Sequence, residues 1–179
     1  MVRVDCHYQM DNIIQTESDI LTKYLTARYD RERFLNNMET NSLGEHMLGY
    51  AWKLEYGPDK GWHYHLLFIF EGSKVREDQT LAMLIGDYWK NFITQGRGTY
   101  HNCNAFKDGY KTLGVGMINY YDLELREGLF QAAKYLTKQD SYARALVPGN
   151  DRTFGRKATL NPKDGNTGRP RSFGPEMII

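Results

Sequence analysis

Residues 47–70 read MLGYAWKLEYGPDKGWHYHLLFIF, and the fold turns on how this stretch pairs with itself. Two aromatic-rich runs flank GPDKG, whose glycines and proline mark a turn, so the stretch predicts a β-hairpin. Side chains alternate faces along a strand, which points His63 and His65 the same way. With the turn near Asp59, Glu55 comes to lie across from His63 on that face. A slip of one residue would send Glu55 to the other face. In the expected register Glu55, His63 and His65 form a two-histidine, one-carboxylate cluster that suits Mn²⁺, Mg²⁺, Zn²⁺ or Fe²⁺. Two imidazoles lean away from Mg²⁺, which prefers oxygen alone. The plain alternative is a pair of hydrogen-bonded histidines at the edge of a core.

The flanking sequence extends the hairpin into a fold. VRVDCHYQM (2–10) alternates, with Val2, Val4, Cys6, Tyr8 and Met10 on one side and Arg3, Asp5, His7 and Gln9 on the other, as in a half-buried strand. From Glu17 to Met38 the period becomes helical, through Ile20, Leu21, Tyr24, Leu25, Arg28, Phe34, Leu35 and Met38, with Thr16 or Ser18 as cap. A second helix is expected over 76–93, with Leu81, Leu84, Ile85, Tyr88, Trp89 and Phe92 inward. Residues 94–112 read as loop, 115–125 as a strand and 127–140 as a helix. The order β-α-β-β-α-β-α predicts an α+β fold, a ferredoxin-like (RRM-like) antiparallel sheet with helices. One domain over 1–148 is expected, with a basic Gly/Pro-rich segment over 149–179 that packs on it or extends it. RTFG (152–155) and RSFG (171–174) echo each other without making a repeat.

Composition narrows the class. The 179 residues are 41% hydrophobic and 25% charged, ordinary values for a globular chain. No apolar run is long enough to span a membrane, and no charged-then-apolar leader opens the chain, so a cytoplasmic protein is expected. Cys6 and Cys103 are too few for a disulfide framework. The net charge of +1 is unevenly spread: residues 141–179 carry seven Lys/Arg and three acids, net +4, which leaves −3 for the rest. A basic tail suits phosphates, although a solvated terminus explains it equally. Thirteen tyrosines suit stacking on unpaired bases as well as ordinary core packing.

KYLTK (134–138) places Tyr135 and Lys138 at i and i+3, on one face of the expected helix. A tyrosine with its ordinary pKa near 10 is a poor nucleophile. A neighbouring ammonium or metal favours the phenolate. Facing a metal that grips a phosphate, such a phenolate could attack phosphorus in line and store the bond as a phosphotyrosine ester.

Together, Glu55 ahead of His63-Tyr64-His65, a later KYLTK and the ferredoxin-like order resemble the HUH single-strand DNA nickases. WKLEY…GWHYHLLF is similar to the metal motif of the inovirus replication-initiator group that includes the YagK/YfjJ-type prophage proteins. RVDCHY resembles that group's first strand, and an RxFG element follows the tyrosine motif in both. The resemblance covers about residues 2–155. It implies a site-specific endonuclease and strand transferase that starts rolling-circle DNA replication of a phage, plasmid or prophage. His63, His65 and Glu55 would be ligands to Mn²⁺ or Mg²⁺. Tyr135 would be the nucleophile joined to the 5′ phosphate, and Lys138 would sit near that phosphate or the metal. Arg152 of RTFG would touch DNA, with Arg171 of RSFG competing for that match. The partners implied are single-stranded DNA or a DNA hairpin at an origin and, since no helicase segment is seen, a host helicase in a bacterial cytoplasm. Some relatives pair two tyrosines on the helix; here the next is Tyr142, seven residues on, and a single nucleophile is expected.

Two other readings compete. A DNA-binding or regulatory protein could keep this fold without the chemistry. A cupin-type metalloenzyme has the Gly57-to-His63 spacing, but Glu71 follows His65 too late, and a cupin is a β-barrel without three helices.

Overall fold

The computed structural model describes residues 1–9, 16–57, 59–109, 114–138 and 140–158. Strand β1 spans Val2–Tyr8, helix α1 Glu17–Met38, β2 Met47–Gly57, β3 Gly61–Phe70, α2 Asp78–Tyr88, β4 Gly98–Asn102, α3 Leu123–Thr137, α4 Ser141–Leu146 and β5 Phe154–Ala158. The strands form one sheet in the order β4-β1-β3-β2-β5, with every neighbouring pair antiparallel. The first four strands follow the ferredoxin-like plan of an α+β fold, and β5 is added outside β2. An open sheet with helices leaves no place for the cupin barrel. No helix among the described residues is long and apolar enough to cross a membrane.

The hairpin forms in the expected register, with Glu55 opposite His63 and Lys53 opposite His65. On the other face of the same strands, Trp52, Leu54, Trp62, Tyr64, Leu66 and Phe68 join Val2, Val4 and Cys6 of β1 in the core. Helices α1 and α2 cover that face.

Helix α1 has the predicted ends, and Thr16 caps it in a reciprocal box with Asp19. Its buried stripe is rotated from the expected one: Tyr24, Ala27, Asp30, Arg31, Phe34 and Met38 face inward, whereas Leu25 is 51% exposed. Polar groups with partners take inward positions. Arg31 lies 4.0 Å over the Trp52 ring, and Asp30 accepts from Tyr8 Oη (2.9 Å) and Arg97 (3.1 Å). Such pairing is what lets charges be buried.

The second helix changes gauge. After α2, one π-turn over Trp89–Ile93 buries both Trp89 and Ile93 and leaves Phe92 65% exposed. Ala82, Ile85, Gly86, Trp89 and Ile93 form the buried stripe, and the expected inward positions Leu84 and Phe92 fall outside it. Gly86 is packed against the Tyr100 ring of β4, where a Cβ would lie 2.1 Å from a ring carbon.

The fourth strand is not 115–125. It is β4, inside the segment read as loop, and it pairs with β1 from Val4↔Asn102 to Tyr8↔Gly98. Only Thr99 and Tyr100 of its five residues favour a strand, and Gly98 and Asn102 at its ends disfavour one, too short a signal to read. Residues 115–122 find no strand partner, and Asp122 caps α3 through Leu125 N–H (3.0 Å), so DLEL starts a helix. The segment from residue 149 onward contributes β5 to the same sheet.

Candidate metal centre and nucleophile

Strand alternation and register build the site on the sheet face away from α1 and α2. One row across that face runs His101, Asp5, His65, Lys53, Phe154, and the next includes His63 and Glu55. Both imidazoles aim Nε2 at a single carboxylate oxygen. Glu55 Oε2 is 3.3 Å from His63 Nε2 and 3.1 Å from His65 Nε2. Their outer nitrogens are engaged elsewhere: His63 Nδ1 is 3.0 Å from the Gly61 carbonyl, and His65 Nδ1 is 2.9 Å from Asp5 Oδ1. An Nδ1 proton donated to those acceptors leaves each neutral ring only a lone pair to show to Glu55. Lone pairs converging on a carboxylate call for a cation between them, and orientation by an outer acceptor is how metal-binding histidines are held. One ligand atom from each of Glu55, His63 and His65 lies within 4.8 Å of the others. The donor set therefore fits a divalent metal.

Without an ion in the centre, the same contacts act as hydrogen bonds instead. Hydrogen bonds from His63 and His65, together with Lys53, hold the Glu55 carboxyl far below the usual carboxylate range and outweigh its burial. Burial pushes Asp5 up, but its hydrogen bond and charge pairing with His65, aided by Arg3, bring it down to about 2. Burial acts to lower the pKa of His65, and the two carboxylates raise it in spite of that. His7, stacked on His63 at 5.5 Å, is lowered to about 4 by burial and by the charge of His63.

Tyr135 reaches this centre from α3, which crosses the open face of the sheet. Its hydroxyl donates to Glu55 Oε1 at 3.1 Å, and its ring meets His65 edge-on at 5.5 Å. Burial and the Glu55 charge raise its pKa to about 12, against a smaller opposing effect of Arg3. In the protein alone the nearby cations thus do not outweigh the carboxylate, contrary to the expected lowering.

Glu55, His63, His65 and Tyr135 therefore come together from three elements. Lys138 does not join them: it is the extended C-cap of α3, with φ −64° and ψ 126°, and its side chain is exposed. Its φ is still helical and its N–H bonds to the Tyr135 carbonyl, but among the described residues no hydrogen bond or ion pair joins its ammonium to Glu55 or Tyr135. The ammonium beside Tyr135 belongs to Lys53. Its Nζ lies 2.5 Å from Glu55 Oε1 and 4.6 Å from the centre of the Tyr135 ring, and its side chain is 5% exposed. The signal was available in WKLEY, where Lys53 and Glu55 are two apart on one strand. Asp5 was also legible on the polar side of VRVDCHY, given that β1 lies beside β3. Arg3 completes the surround, 5.7 Å from the Tyr135 ring centre.

Arg152 is exposed just before β5; the Leu54 N–H to Thr153 C=O bond (2.8 Å) continues the β2–β5 register and sets it level with Glu55. Arg171 lies outside the described residues. Tyr142 stacks on Tyr56 at 5.8 Å, and Tyr56 alternates to the face opposite Glu55, so Tyr142 is not at this centre.

No curated protein and no solved structure matches the chain. The sequence profile of the YagK/YfjJ C-terminal domain matches residues 1–157, the span that holds every strand but the last residue of β5 and all of the centre described above, and the chain belongs to the YagK/YfjJ C-terminal domain family.

Proposed function

We propose that this protein is a metal-dependent endonuclease and strand transferase of the HUH kind, which nicks single-stranded DNA and rejoins it through Tyr135. The observation that carries the reading is the Tyr135 hydroxyl 3.1 Å from the carboxylate on which both histidines converge. A nucleophile placed at a metal-ligand set is what phosphoryl transfer to a side chain requires. Glu55, His63 and His65 would hold Mn²⁺ or Mg²⁺, the imidazoles favouring Mn²⁺. Bound there, the ion would supply polarisation of the phosphoryl oxygen and an in-line template.

The residues of the chain do the rest. Glu55 accepts the hydrogen bond that aims the phenol, but so ionised a carboxylate is a weak base. The phenol proton passes to bulk water, and the phenolate left behind is supported by Lys53 and Arg3. The Tyr135 oxygen bonds to phosphorus and the bond from phosphorus to the 3′ oxygen breaks; the 3′ oxygen takes up a proton. The 5′ phosphate stays on Tyr135, and attack by a 3′ hydroxyl reverses the step and reseals the strand. Asp5 and the Gly61 carbonyl keep the two imidazoles turned correctly. Initiation of rolling-circle replication at an origin hairpin, on a phage, plasmid or prophage and with a host helicase, is the cellular role this chemistry fits.

The test is a denaturing gel of protein mixed with labelled single-stranded oligonucleotides and Mn²⁺ or Mg²⁺. A slow protein–DNA band in wild type that is missing from Tyr135→Phe and His63→Ala supports the reading. A band that survives in Tyr135→Phe moves the nucleophile, and no band with origin-containing DNA leaves the non-catalytic DNA-binding role.

A further inference from the structure

The face that carries the metal centre changes character along the strands. One row beyond Asp5, His65 and Lys53 come Arg3, Leu67, Ala51 and Arg156, and beyond those lie Gly49 and Ala158. Here α3 stands off the sheet and a groove of about 1080 Å³ opens beneath it. Its floor is Ala51, Leu67 and Ile69, and its roof is Leu129, Phe130 and Ala133. Ala51 lies two residues before Lys53 and Leu67 two after His65 on the same sheet face, so the groove floor continues directly from that centre.

Two further observations say what it holds. Phe130 lines the groove yet is 60% exposed, and Arg126, which also lines it, sits one helical turn earlier. An open aromatic face beside a guanidinium is a stacking surface for unpaired bases. The rim is also cationic. Arg156 faces the groove with no side-chain partner among the described residues, and Arg126 bonds only to the neutral Tyr120 carbonyl (3.0 Å). Among the described lining residues the acid is Glu127, itself bonded to Gln131 (2.6 Å). Lys157, by contrast, is neutralised by Glu39.

We propose that the groove beneath α3 binds unpaired nucleobases of the strand whose phosphate lies at Tyr135, with Arg156 on a neighbouring phosphate. The proposal rests on the nickase reading for its substrate and adds where that substrate's bases go. An apolar slot next to the scissile phosphate grips a single strand and rejects a duplex, whose bases are stacked and paired.

The test separates the two readings. In a Tyr135→Phe background, which removes the chemistry, fluorescence anisotropy compares a random-sequence single-stranded oligonucleotide with an abasic strand of equal length. Phe130→Ala and the groove-filling Ala133→Trp are expected to weaken binding of the base-bearing strand about five- to tenfold, the low end of one lost stacking contact. Binding of the abasic strand should change less than about twofold. Arg156→Gln, a surface change that leaves the fold intact, should weaken both strands alike and flatten the salt dependence. Equal affinity for the two strands, or a base preference untouched by Phe130→Ala and Ala133→Trp, overturns the groove proposal and leaves the nickase reading standing. No binding of either strand overturns both.

Discussion

Strand β3 is buried on both faces, and the two faces are buried for opposite reasons. Trp62, Tyr64, Leu66 and Phe68 face α1 and α2 and are withdrawn from water by apolar packing. His63 and His65 are 6% and 7% exposed on the other side, yet all four of their ring nitrogens meet a carboxylate or a carbonyl oxygen. The first face is where stability comes from, because apolar area removed from water is the main favourable term in folding. The second face is a polar network, each of whose members relies on the next. Low exposure alone would not tell an apolar core from a polar centre; the partners do.

Substitutions can drive the two faces apart. The largest contrast comes from Tyr135→Phe, which should abolish the covalent protein–DNA band while costing no more than one partly exposed hydrogen bond, about 1 kcal/mol or less in a urea melt. Phe68→Ala, on the apolar face, should do the reverse. A loss of about 3–5 kcal/mol in the same melt is expected, with strand cleavage retained by whatever fraction stays folded. His63→Ala lies between them: Mn²⁺ binding by calorimetric titration should disappear, with a smaller loss of stability than Phe68→Ala. If His63→Ala unfolds the protein as readily, the contrast between the faces is wrong.

Finer contrasts lie within the polar face. Lys53→Met should slow adduct formation by about an order of magnitude, whereas Lys138→Ala should leave it unchanged; the opposite ranking would return the lysine role to the helix terminus. The smallest effect is in pH. Asp5 falls from 3.8 unfolded to about 2 folded. Its contribution to stability is therefore complete above pH 3.8 and lost as the pH falls through 2. The difference in stability between wild type and Asp5→Asn should shrink over that window, followed by urea midpoints at each pH.

The part of the sequence that spoke clearly was the part with strong local pattern. VRVDCHY and the 47–70 hairpin alternate over many residues, and the register that joins Glu55 to His63 follows from one turn. Three features stayed hidden for physical reasons. β4 is five residues long with Gly and Asn at its ends, and it exists because β1 offers an edge. The inward stripe of α1 includes Asp30 and Arg31, which only their tertiary partners can bury. Lys53 stayed hidden behind Lys138, because its place beside Tyr135 depends on how α3 crosses β2 and not on spacing along one element. The ferredoxin-like order was right with the wrong fourth strand, because 115–125 stood in for β4 in the count of elements.

The two histidines differ in how they could be lost by mutation. His65 is oriented by Asp5, a side chain two strand positions from the edge of the network, and a single base change can remove that carboxylate. His63 is oriented by the carbonyl of Gly61, and no substitution deletes a peptide carbonyl. What must persist at position 61 is the turn itself, which holds φ at 61°, a value that glycine adopts freely and other residues resist. Genetic drift therefore has an easy way into this centre through Asp5 and a narrow one through the turn, so a decaying copy of this gene should lose its grip on His65 first.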